Sequence, residues 1–235
     1  MTDRFQGKVV LVAGGTGGLG RPVALAFLRE SARVIVTWRR PEKFAALVQA
    51  ASDFSPSLTG CELDVTSEDA TQKAISGFGK IDVLVNTVGA YAGGSPLWAT
   101  PPDVFDRQLA ANLRSGYSLC RAVVPLMLAQ RRGSIVNIAS RAAFDHAAGA
   151  FAYVASKAAA VAMIDSLSAD LRGTGVRVNS VLPSIIDTEA NRKSMPGADF
   201  AKWPRPEDIA KVILFLSSDD AALIHGASVP VYGDT

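Results

Sequence analysis

Short apolar runs alternate with longer segments of helical periodicity along the whole chain, and this alternation constrains the fold more than any other feature. The runs are rich in Val and Ile and do not alternate with polar residues, which is typical of parallel strands buried on both faces. Parallel neighbours need long crossover connections, and the helical segments provide them. The pattern therefore predicts an α/β protein whose doubly wound, seven-stranded parallel sheet is flanked by helices on both faces.

The runs and the helical segments can be placed on the sequence. The predicted strands are Val9 to Ala13, Val34 to Trp38, Cys61 to Asp64, Val83 to Asn86, Ser134 to Ile138, Val176 to Val181 and Ser228 to Tyr232. The predicted helices cover about 18–30, 41–51, 67–77, 102–131, 151–172 and 206–217. The stretch from Ser184 to Pro206 is polar and interrupted by prolines, and irregular chain of that length in a compact domain is usually functional, so we interpret 184–206 as a substrate lid.

Length and composition exclude several classes of protein. A chain of 235 residues suits one domain, so we predict a single domain over 1–235. The net charge of +2 gives no reason to expect nucleic acid or an anionic membrane as a partner. Cys61 and Cys120 are the only cysteines and no His/Cys cluster occurs, so we expect no metal and a reducing, cytoplasmic compartment. No apolar leader segment or stretch of about 18 apolar residues suggests export or a membrane span.

A glycine-rich turn directly follows the first strand. It reads Gly14-Gly15-Thr16-Gly17-Gly18-Leu19-Gly20 and leads into a helix. Glycines allow the backbone to approach a pyrophosphate, and the helix N-terminus offers free N–H groups and a positive dipole end to the anion. With a strand before the turn and a βαβ continuation after it, the spacing indicates a Rossmann-type dinucleotide site more strongly than a tight turn without a ligand.

The end of the second strand bears on the choice between NAD and NADP. An acidic residue there usually accepts a hydrogen bond from the ribose 2′-hydroxyl, whereas arginine accommodates a 2′-phosphate. Here the sequence is Trp38-Arg39-Arg40, with no carboxylate. We therefore expect NADP(H) to be favoured and NAD(H) to remain possible, the alternative being that both arginines form a solvated strand end.

Tyr153 and Lys157 are the candidate catalytic pair. They are four residues apart in a predicted helix, so they share one face, and Ser140 ends a strand at the carboxyl edge where open α/β sheets bind ligands. Tyrosine has a pKa near 10, and lowering it by about three units needs about 4 kcal/mol of preferential stabilisation of the phenolate. We assign that role to Lys157, and to Ser140 the donation of a hydrogen bond to the substrate oxygen.

Together these motifs resemble those of the short-chain dehydrogenase/reductase family, in its compact single-domain branch, along essentially the whole chain. The glycine turn is similar to the family's T-G-x-x-x-G-x-G with Ala13 in place of threonine. Further matches are Asp64-Val65, Asn86-Thr87-Val88-Gly89 for N-N-A-G, Asn112 for the catalytic asparagine, Ser140 with Tyr153 and Lys157 for the serine and Y-x-x-x-K, and Asn179 to Thr188 for N-x-x-x-P-G-x-I-x-T. Thr87, Ser184 and Tyr232 depart from the family pattern without removing a group that the mechanism needs.

The resemblance implies reversible hydride transfer between the nicotinamide and a carbonyl or alcohol carbon, with Asn112 helping to hold a water behind the lysine. It implies that Lys157 also holds the nicotinamide ribose and that the backbone at Ile186 holds the carboxamide. The implied cofactor contacts are Gly14, Thr16, Gly17, Gly18, Leu19, Gly20, Trp38, Arg39, Arg40, Asp64, Val65, Asn86, Val88, Gly89, Tyr153, Lys157, Pro183, Ile186 and Thr188. Gly17 lacks the basic side chain that many NADPH-using members carry there, which weakens the NADP preference.

The lid gives a narrower comparison. Its residues from Asp187 to Trp203 resemble the corresponding stretch of quinonoid dihydropteridine reductase, although Ser140 and Trp38 do not fit that enzyme. Candidate substrate contacts are Tyr91, Phe144, His146, Met195 and Trp203. The alternative is that the aromatic and Met side chains pack the lid on the body and that His146 is merely exposed; His225 is interpreted as structural.

Several functions remain open from the sequence. The main hypothesis is an NADPH-dependent carbonyl reductase or the matching alcohol dehydrogenase; rivals are a 3-oxoacyl-carrier-protein reductase, a dihydropteridine reductase, and a dinucleotide-sensing protein without catalysis. The four matching catalytic residues argue against a sensor, which needs no proton relay. By family analogy we expect a homotetramer, or a homodimer, formed through the helices at 102–131 and 151–172, and a small-molecule substrate.

Overall fold

The computed structural model describes residues 3–235 and contains one sheet of seven parallel strands, so the predicted fold class is confirmed. The strands are β1 (Val9–Ala13), β2 (Arg33–Trp38), β3 (Leu58–Glu62), β4 (Val83–Asn86), β5 (Gly133–Ile138), β6 (Val176–Pro183) and β7 (Ser228–Val231). Their order across the sheet is β3-β2-β1-β4-β5-β6-β7. The first two residues of the predicted domain 1–235 lie outside the described range.

Helices cover both faces of the sheet. They are α1 (Gly20–Arg29), α2 (Pro41–Ala51), α3 (Glu68–Ser76), α4 (Pro102–Leu109), α5 (Ser115–Gln130), α6 (Phe151–Asp170), α7 (Glu189–Ser194) and α8 (Pro206–Ser217). Short 3₁₀ turns occur between several of these elements, as at Leu97–Ala99, Arg141–Ala143 and Phe200–Lys202.

Alternating side chains on the strands build two hydrophobic layers. Val10 and Val12 of β1 face α1 and α8, where Phe27 and Ile213 are fully buried. Leu11 of the same strand faces the opposite layer, which α3, α5 and α6 cover. Because the central strands are buried on both faces, they read as continuous apolar runs in the sequence.

The third strand begins earlier than predicted. The prediction of Cys61 to Asp64 was wrong in its bounds, since β3 runs from Leu58 to Glu62 beside β2. It is an edge strand without the apolar run on which the prediction relied. A Cβ atom at Gly60 would overlap the ring of Phe44, so the glycine in this strand makes room for α2.

Two other segments are more structured than the sequence indicated. The predicted helix 102–131 is interrupted by a π-helical turn at Ala110–Arg114, between α4 and α5. The predicted irregular lid 184–206 contains α7, a short helix whose N-cap is Thr188: its hydroxyl accepts a hydrogen bond from the Asn191 amide at 3.2 Å. Such a six-residue helix is too short for its periodicity to stand out from a loop.

The strand order reverses direction between β1 and β4, and this point locates the crevice. Chain connections leave the carboxyl ends of these two neighbours in opposite directions along the sheet, so a cleft opens beyond them. The glycine turn follows β1 and Asn86 ends β4 at this edge. The candidate residues from sequence therefore meet at one edge of the sheet.

Candidate active site

Ser140 and Tyr153 come together at the carboxyl edge of β5. Ser140 lies two residues beyond the strand, where its hydroxyl accepts a hydrogen bond from the Ala142 amide at 3.2 Å and begins a 3₁₀ turn. Tyr153 lies in the first turn of α6, and its hydroxyl is within hydrogen-bonding reach of the Ser140 side chain. Two hydroxyl groups thus face the same point, from elements on either side of the loop 141–150.

Burial dominates the titration of Tyr153. It raises the pKa of the phenol above its usual value, the hydrogen bond with Ser140 acts in the opposite direction, and the neighbouring Tyr91 adds to the increase. Lys157 is not among the groups that shift this pKa, so the predicted depression of the Tyr153 pKa by the lysine is wrong for this geometry. The physical reason is that the ammonium lies 5.9 Å from the centre of the ring and is bound elsewhere.

Lys157 is a buried amine, only 5% exposed. Its Nζ donates to the carbonyl oxygen of Ile138 at 3.0 Å, which fixes it at the end of β5. Burial disfavours the charged form and lowers the pKa of the lysine to about 8. The group can therefore exist as ammonium or as free amine near neutral pH.

Asn112 lies in the π-helical turn and joins α5 to the loop after β4. Its Oδ1 accepts from the Ala90 amide at 2.9 Å, and its Nδ2 donates to the Ala90 carbonyl at 2.9 Å. The same Nδ2 also approaches the hydroxyl of Ser156 at 2.9 Å and Oε1 of Gln108 at 3.2 Å. The widened turn directs this amide inward, in keeping with the frequent occurrence of π-bulges at functional sites.

Sequence reasoning missed Ser156 and Gln108, which surround the side chain of Asn112. Ser156 is fully buried and its hydroxyl donates to the Tyr153 carbonyl at 2.7 Å. Gln108 is buried one helical turn before Asn112. The only sequence signal for Gln108 was that it is a polar residue four positions before Asn112 in a predicted helix, and such pairs are too common to identify a functional residue.

The glycine turn fits a dinucleotide pyrophosphate. Gly14 has a φ of 74° and its amide donates to Thr37 Oγ1 at 2.9 Å, so the turn is fixed to β2. A Cβ atom at Gly18 would lie 2.9 Å from Thr188 Cγ2. The helix that follows has no side-chain cap and no acidic residue in its first turn, which leaves its N–H groups and positive dipole end for an anion. Thr16, Gly17, Gly18 and Leu19 line one continuous cleft with Ile186 and Thr188.

Arg39 and Arg40 are both exposed at the end of β2, with no carboxylate beside them in sequence. Arg39 forms a loose ion pair with Asp64 at 3.8 Å. Burial acts to raise the pKa of Asp64, but hydrogen bonds from the amide and hydroxyl of Thr66, together with Arg39, outweigh it and lower that pKa. Trp38 differs from its neighbours: its ring stacks on Phe44 at 5.5 Å and is packed against the core.

The loop after β4 continues the cleft. The side-chain nitrogen Nδ2 of Asn86 donates to Asn137 Oδ1 at 2.9 Å, and the side-chain oxygen Oδ1 of Asn86 accepts from the backbone amide of Val88 at 3.2 Å. A Cβ atom at Gly89 would lie 2.9 Å from Asn112 Oδ1 and 3.3 Å from Lys157 Nζ, so this glycine lies between two of the catalytic candidates. Val65, also assigned to the cofactor site, is buried beyond β3.

The beginning of the lid is a defined unit. Pro183 ends β6, and the carbonyl of Ile186 accepts from the Asn191 side chain at 2.8 Å. Asp187 is held by Arg192 through two hydrogen bonds of 2.5 and 2.7 Å, and the Arg192 hydrogen bond lowers the pKa of this carboxyl. The guanidinium of Arg192 also lies 4.9 Å from the centre of the Phe200 ring.

The candidate substrate contacts separate into two groups. Tyr91 lies 5.0 Å from the Tyr153 ring, edge to face, while Phe144 and His146 are exposed in the loop after Ser140. Trp203 is only 6% exposed and packs against Phe200, which is the arrangement of the packing alternative, and its contact with substrate stays a prediction. Met195 caps the end of α7 and is half-buried. His225 hydrogen bonds the Val178 amide and the Ser168 carbonyl, in agreement with a structural role.

Two further features concern membranes and metals. Within residues 3–235, no helix has both the length and the apolar character needed to cross a bilayer. The same part of the chain contains no group of three or more His, Cys, Asp and Glu side chains arranged to hold a metal ion.

Comparison with known proteins identifies a family. A profile described as short chain dehydrogenase matches residues 8–199. A 3-oxoacyl-[acyl-carrier-protein] reductase of Thermotoga maritima is 31% identical over 98% of this chain and 98% of its own. The D-threitol dehydrogenase of Mycolicibacterium smegmatis is 33% identical over 98% of this chain and 93% of its own.

The fold is also similar to that of solved structures. A 3-oxoacyl (acyl-carrier-protein) reductase from Agrobacterium tumefaciens C58, solved with NADP bound, superimposes with a TM-score of 0.90 at 26% identity, covering 99% of this chain and 96% of the other. These likenesses extend over the sheet, the glycine turn and the loops at its carboxyl edge. The similarity of the lid to dihydropteridine reductase stays a prediction.

Proposed function

The chain belongs to the short-chain dehydrogenase/reductase family and is an NAD(P)-dependent oxidoreductase of carbonyl and alcohol groups; from that premise we propose that it is an NADPH-preferring carbonyl reductase, or the matching alcohol dehydrogenase, that uses Tyr153 as its acid. The observation that carries the proposal is the placement of the Ser140 and Tyr153 side chains side by side, with Lys157 and Asn112 behind them, at the edge where the glycine turn opens.

The proposed chemistry follows from the properties of these groups. A bound nicotinamide supplies the hydride in reduction or accepts it in oxidation. Ser140 donates a hydrogen bond to the substrate oxygen, and Tyr153 delivers a proton to it as negative charge develops. The raised pKa of Tyr153 keeps the phenol protonated at neutral pH, which favours its action as an acid in the direction of reduction.

Lys157 and Asn112 complete the proposed relay. The phenolate that remains after proton transfer lies near the buried Lys157 amine, whose pKa of about 8 allows it to carry charge when the phenolate forms. Asn112 is bound to the loop after β4 and to Ser156, so its amide is held in one orientation. We propose that it positions the groups behind the lysine rather than touching the substrate.

The proposed preference for NADP rests on Arg39 and Arg40. Both guanidiniums are exposed at the end of β2, and the single ion pair to Asp64, at 3.8 Å, is too loose to neutralise them. Arg can grip a 2′-phosphate through two parallel hydrogen bonds. We also propose that the pyrophosphate and ribose of the cofactor bind at the residues named above, from Gly14 to Gly20 and from Asn86 to Gly89.

One experiment tests the reaction. Tyr153→Phe removes only the hydroxyl, so NADPH oxidation with a panel of ketones and aldehydes should fall by about 10²–10⁴ while NADPH binding, followed by its fluorescence, is retained. A variant that keeps the wild-type rate would refute the catalytic assignment. In the same assay kcat/KM should be higher with NADPH than with NADH, and Arg39→Ala should reduce only the NADPH value, by about tenfold.

A second candidate is reduction of 3-oxoacyl thioesters, favoured by the names of the Thermotoga and Agrobacterium relatives. Turnover of acetoacetyl thioesters would distinguish it from a general carbonyl reductase.

We also propose that the protein is a cytoplasmic homotetramer, or a homodimer, formed through α4–α5 and α6. Tyr117 and Leu128 leave apolar surface exposed on α5, which a partner subunit would cover. Light scattering at micromolar concentration should give four, or two, times the mass of the 24.6 kDa chain. A monomer would overturn this proposal.

A further inference from the structure

Large apolar side chains are exposed in the loops at the edge of the sheet that carries the Ser140–Tyr153 pair. Tyr91 is 68% exposed, Leu97 62%, Trp98 86%, Phe144 61% and Ile185 40%. All five belong to the three loops that leave the carboxyl ends of β4, β5 and β6, which is the edge that carries the catalytic candidates. Exposed apolar residues that are grouped in this way mark a binding surface more often than residues scattered singly.

Tyr91 is built into this edge rather than lying loosely over it. Its ring meets the Tyr153 ring edge to face at 5.0 Å. A Cβ atom at Gly93 would overlap the Tyr91 hydroxyl, so the ring folds back over this glycine. The amide of Gly94 donates to the Gly149 carbonyl at 2.9 Å and fixes the loop to the segment before α6. The ring of Tyr91 is therefore held directly beside the ring of Tyr153, the proposed acid.

Phe144 forms the other apolar element near Ser140. Its amide donates to the Arg141 carbonyl at 3.0 Å, which closes the turn that begins at Ser140. Phe144 therefore follows Ser140 within one closed turn, while Tyr91 contacts Tyr153.

The formal charges of these three loops are paired within the protein. The loop after β4 has no charged residue between Val83 and Pro102. After β5, Arg141 pairs with Asp145 at 3.0 Å, and its guanidinium lies over the Tyr232 ring.

The charged residues of the lid, from Ser184 to Pro206, also have partners of opposite charge. The pairs within the lid are Asp187–Arg192, Glu189–Lys193 and Asp199–Lys202, and Arg205 pairs with Asp208 at the start of α8. Every arginine and lysine of these three loops therefore lies within 4.0 Å of a carboxylate. An anionic substrate would have to compete with these carboxylates for a counter-charge while it loses its hydration.

Resting on the proposed oxidoreductase function, we propose that the substrate is an uncharged aldehyde or ketone that carries an aromatic or similarly bulky apolar group. The apolar group packs on Tyr91 and Phe144 while the carbonyl oxygen meets Ser140 and Tyr153. The same surface disfavours phosphate-bearing thioesters and carboxylate-bearing ketones.

A matched pair of compounds tests the charge requirement. Methyl 4-formylphenylacetate and 4-formylphenylacetate differ in one negative charge, and the methylene group keeps the ester or carboxylate out of conjugation with the aldehyde. Steady-state NADPH oxidation should give a kcat/KM at least about tenfold higher for the neutral ester. Acetoacetyl-coenzyme A should be reduced more slowly than the ester, and propanal tests the need for the aromatic ring.

Variants test the surface itself. Tyr91→Ala should lower the ratio of kcat/KM for the ester to kcat/KM for propanal at least about fivefold, mainly through KM for the ester. Tyr91→Phe keeps the ring and should keep the activity with the ester. Leu223→Ala is the matched control, since this side chain is 99% exposed but lies before β7, outside these three loops, and it should change neither substrate.

The outcomes separate this inference from the proposed function. Equal or higher kcat/KM for the carboxylate or for acetoacetyl-coenzyme A, with Tyr153→Phe still inactive, would overturn the substrate class and leave the reaction in place. Equal losses for ester and propanal in Tyr91→Ala would mean that Tyr91 acts only through Tyr153, and would also overturn it. If no carbonyl compound is turned over by the wild type, the proposed function fails first.

Discussion

Burial of the Lys157 amine lowers the free energy of unfolding of the protein, and the proposed relay requires this residue. Burial lowers the pKa of this amine to about 8, from 10.5 for an ordinary lysine. Methionine has a similar unbranched shape and no charge, so Lys157→Met should fill the same space without the cost of burying an ammonium ion. The variant should be inactive and more stable than the wild type at neutral pH.

The size of the gain follows from proton linkage. Between pH 8 and 10.5 the unfolded chain binds more protons than the folded one, so the stability of the wild type rises with pH in this window. The charge costs the wild type about 3 kcal/mol at pH 7 and about 2 kcal/mol at pH 9. The variant also loses the hydrogen bond to the Ile138 carbonyl, worth about 1 kcal/mol at both pH values.

Urea unfolding at constant ionic strength and protein concentration measures this difference. Lys157→Met should be more stable than the wild type by about 2 kcal/mol at pH 7 and by about 1 kcal/mol at pH 9. Lys73→Met is the matched control, because Lys73 is an exposed residue of α3. Its effect should stay within about 0.5 kcal/mol and be the same at both pH values.

A change of stability that is independent of pH would refute the reasoning, whatever its sign. It would mean that Lys157 keeps an ordinary pKa in the folded protein. A loss of stability at pH 7 that disappears at pH 9 would be the opposite of the expected slope and would indicate a favourable partner for the ammonium.

Three further substitutions test particular contacts. Gly18→Ala should raise KM for NADPH about tenfold, because the new Cβ would lie 2.9 Å from Thr188 Cγ2; adding Thr188→Ser removes that methyl group and should recover part of the loss. Gly60→Ala should lower the free energy of unfolding in urea by about 1–3 kcal/mol through overlap with Phe44, and Phe44→Leu in the same chain should offset some of it. Gln108→Leu removes an acceptor from the buried side chain of Asn112, the proposed positioning residue, and should lower kcat about tenfold with little change in KM for NADPH; an unchanged kcat would show that the other bonds of that asparagine suffice.

The sequence by itself determined the sheet and the positions of the main motifs. Apolar runs identify buried parallel strands because both faces of each strand must be covered, and this requirement is written into consecutive residues. The glycine turn after β1 and the four-residue spacing of Tyr153 and Lys157 are local as well. For the same reason β3, whose residues Leu58 to Gly60 are not an apolar run, was placed too late.

Only the tertiary structure decided the properties that depend on distant neighbours. The pKa of Tyr153 is raised and not lowered, since its burial outweighs the hydrogen bond with Ser140 and the Lys157 amine is bound to the Ile138 carbonyl instead. Trp203 packs inside the lid, whereas Tyr91 stands exposed against Tyr153, although both are aromatic loop residues in the sequence. The charged residues of the lid acquire their ion-pair partners only on folding. Burial and charge compensation are sums over groups that meet in space, so no local pattern contains them.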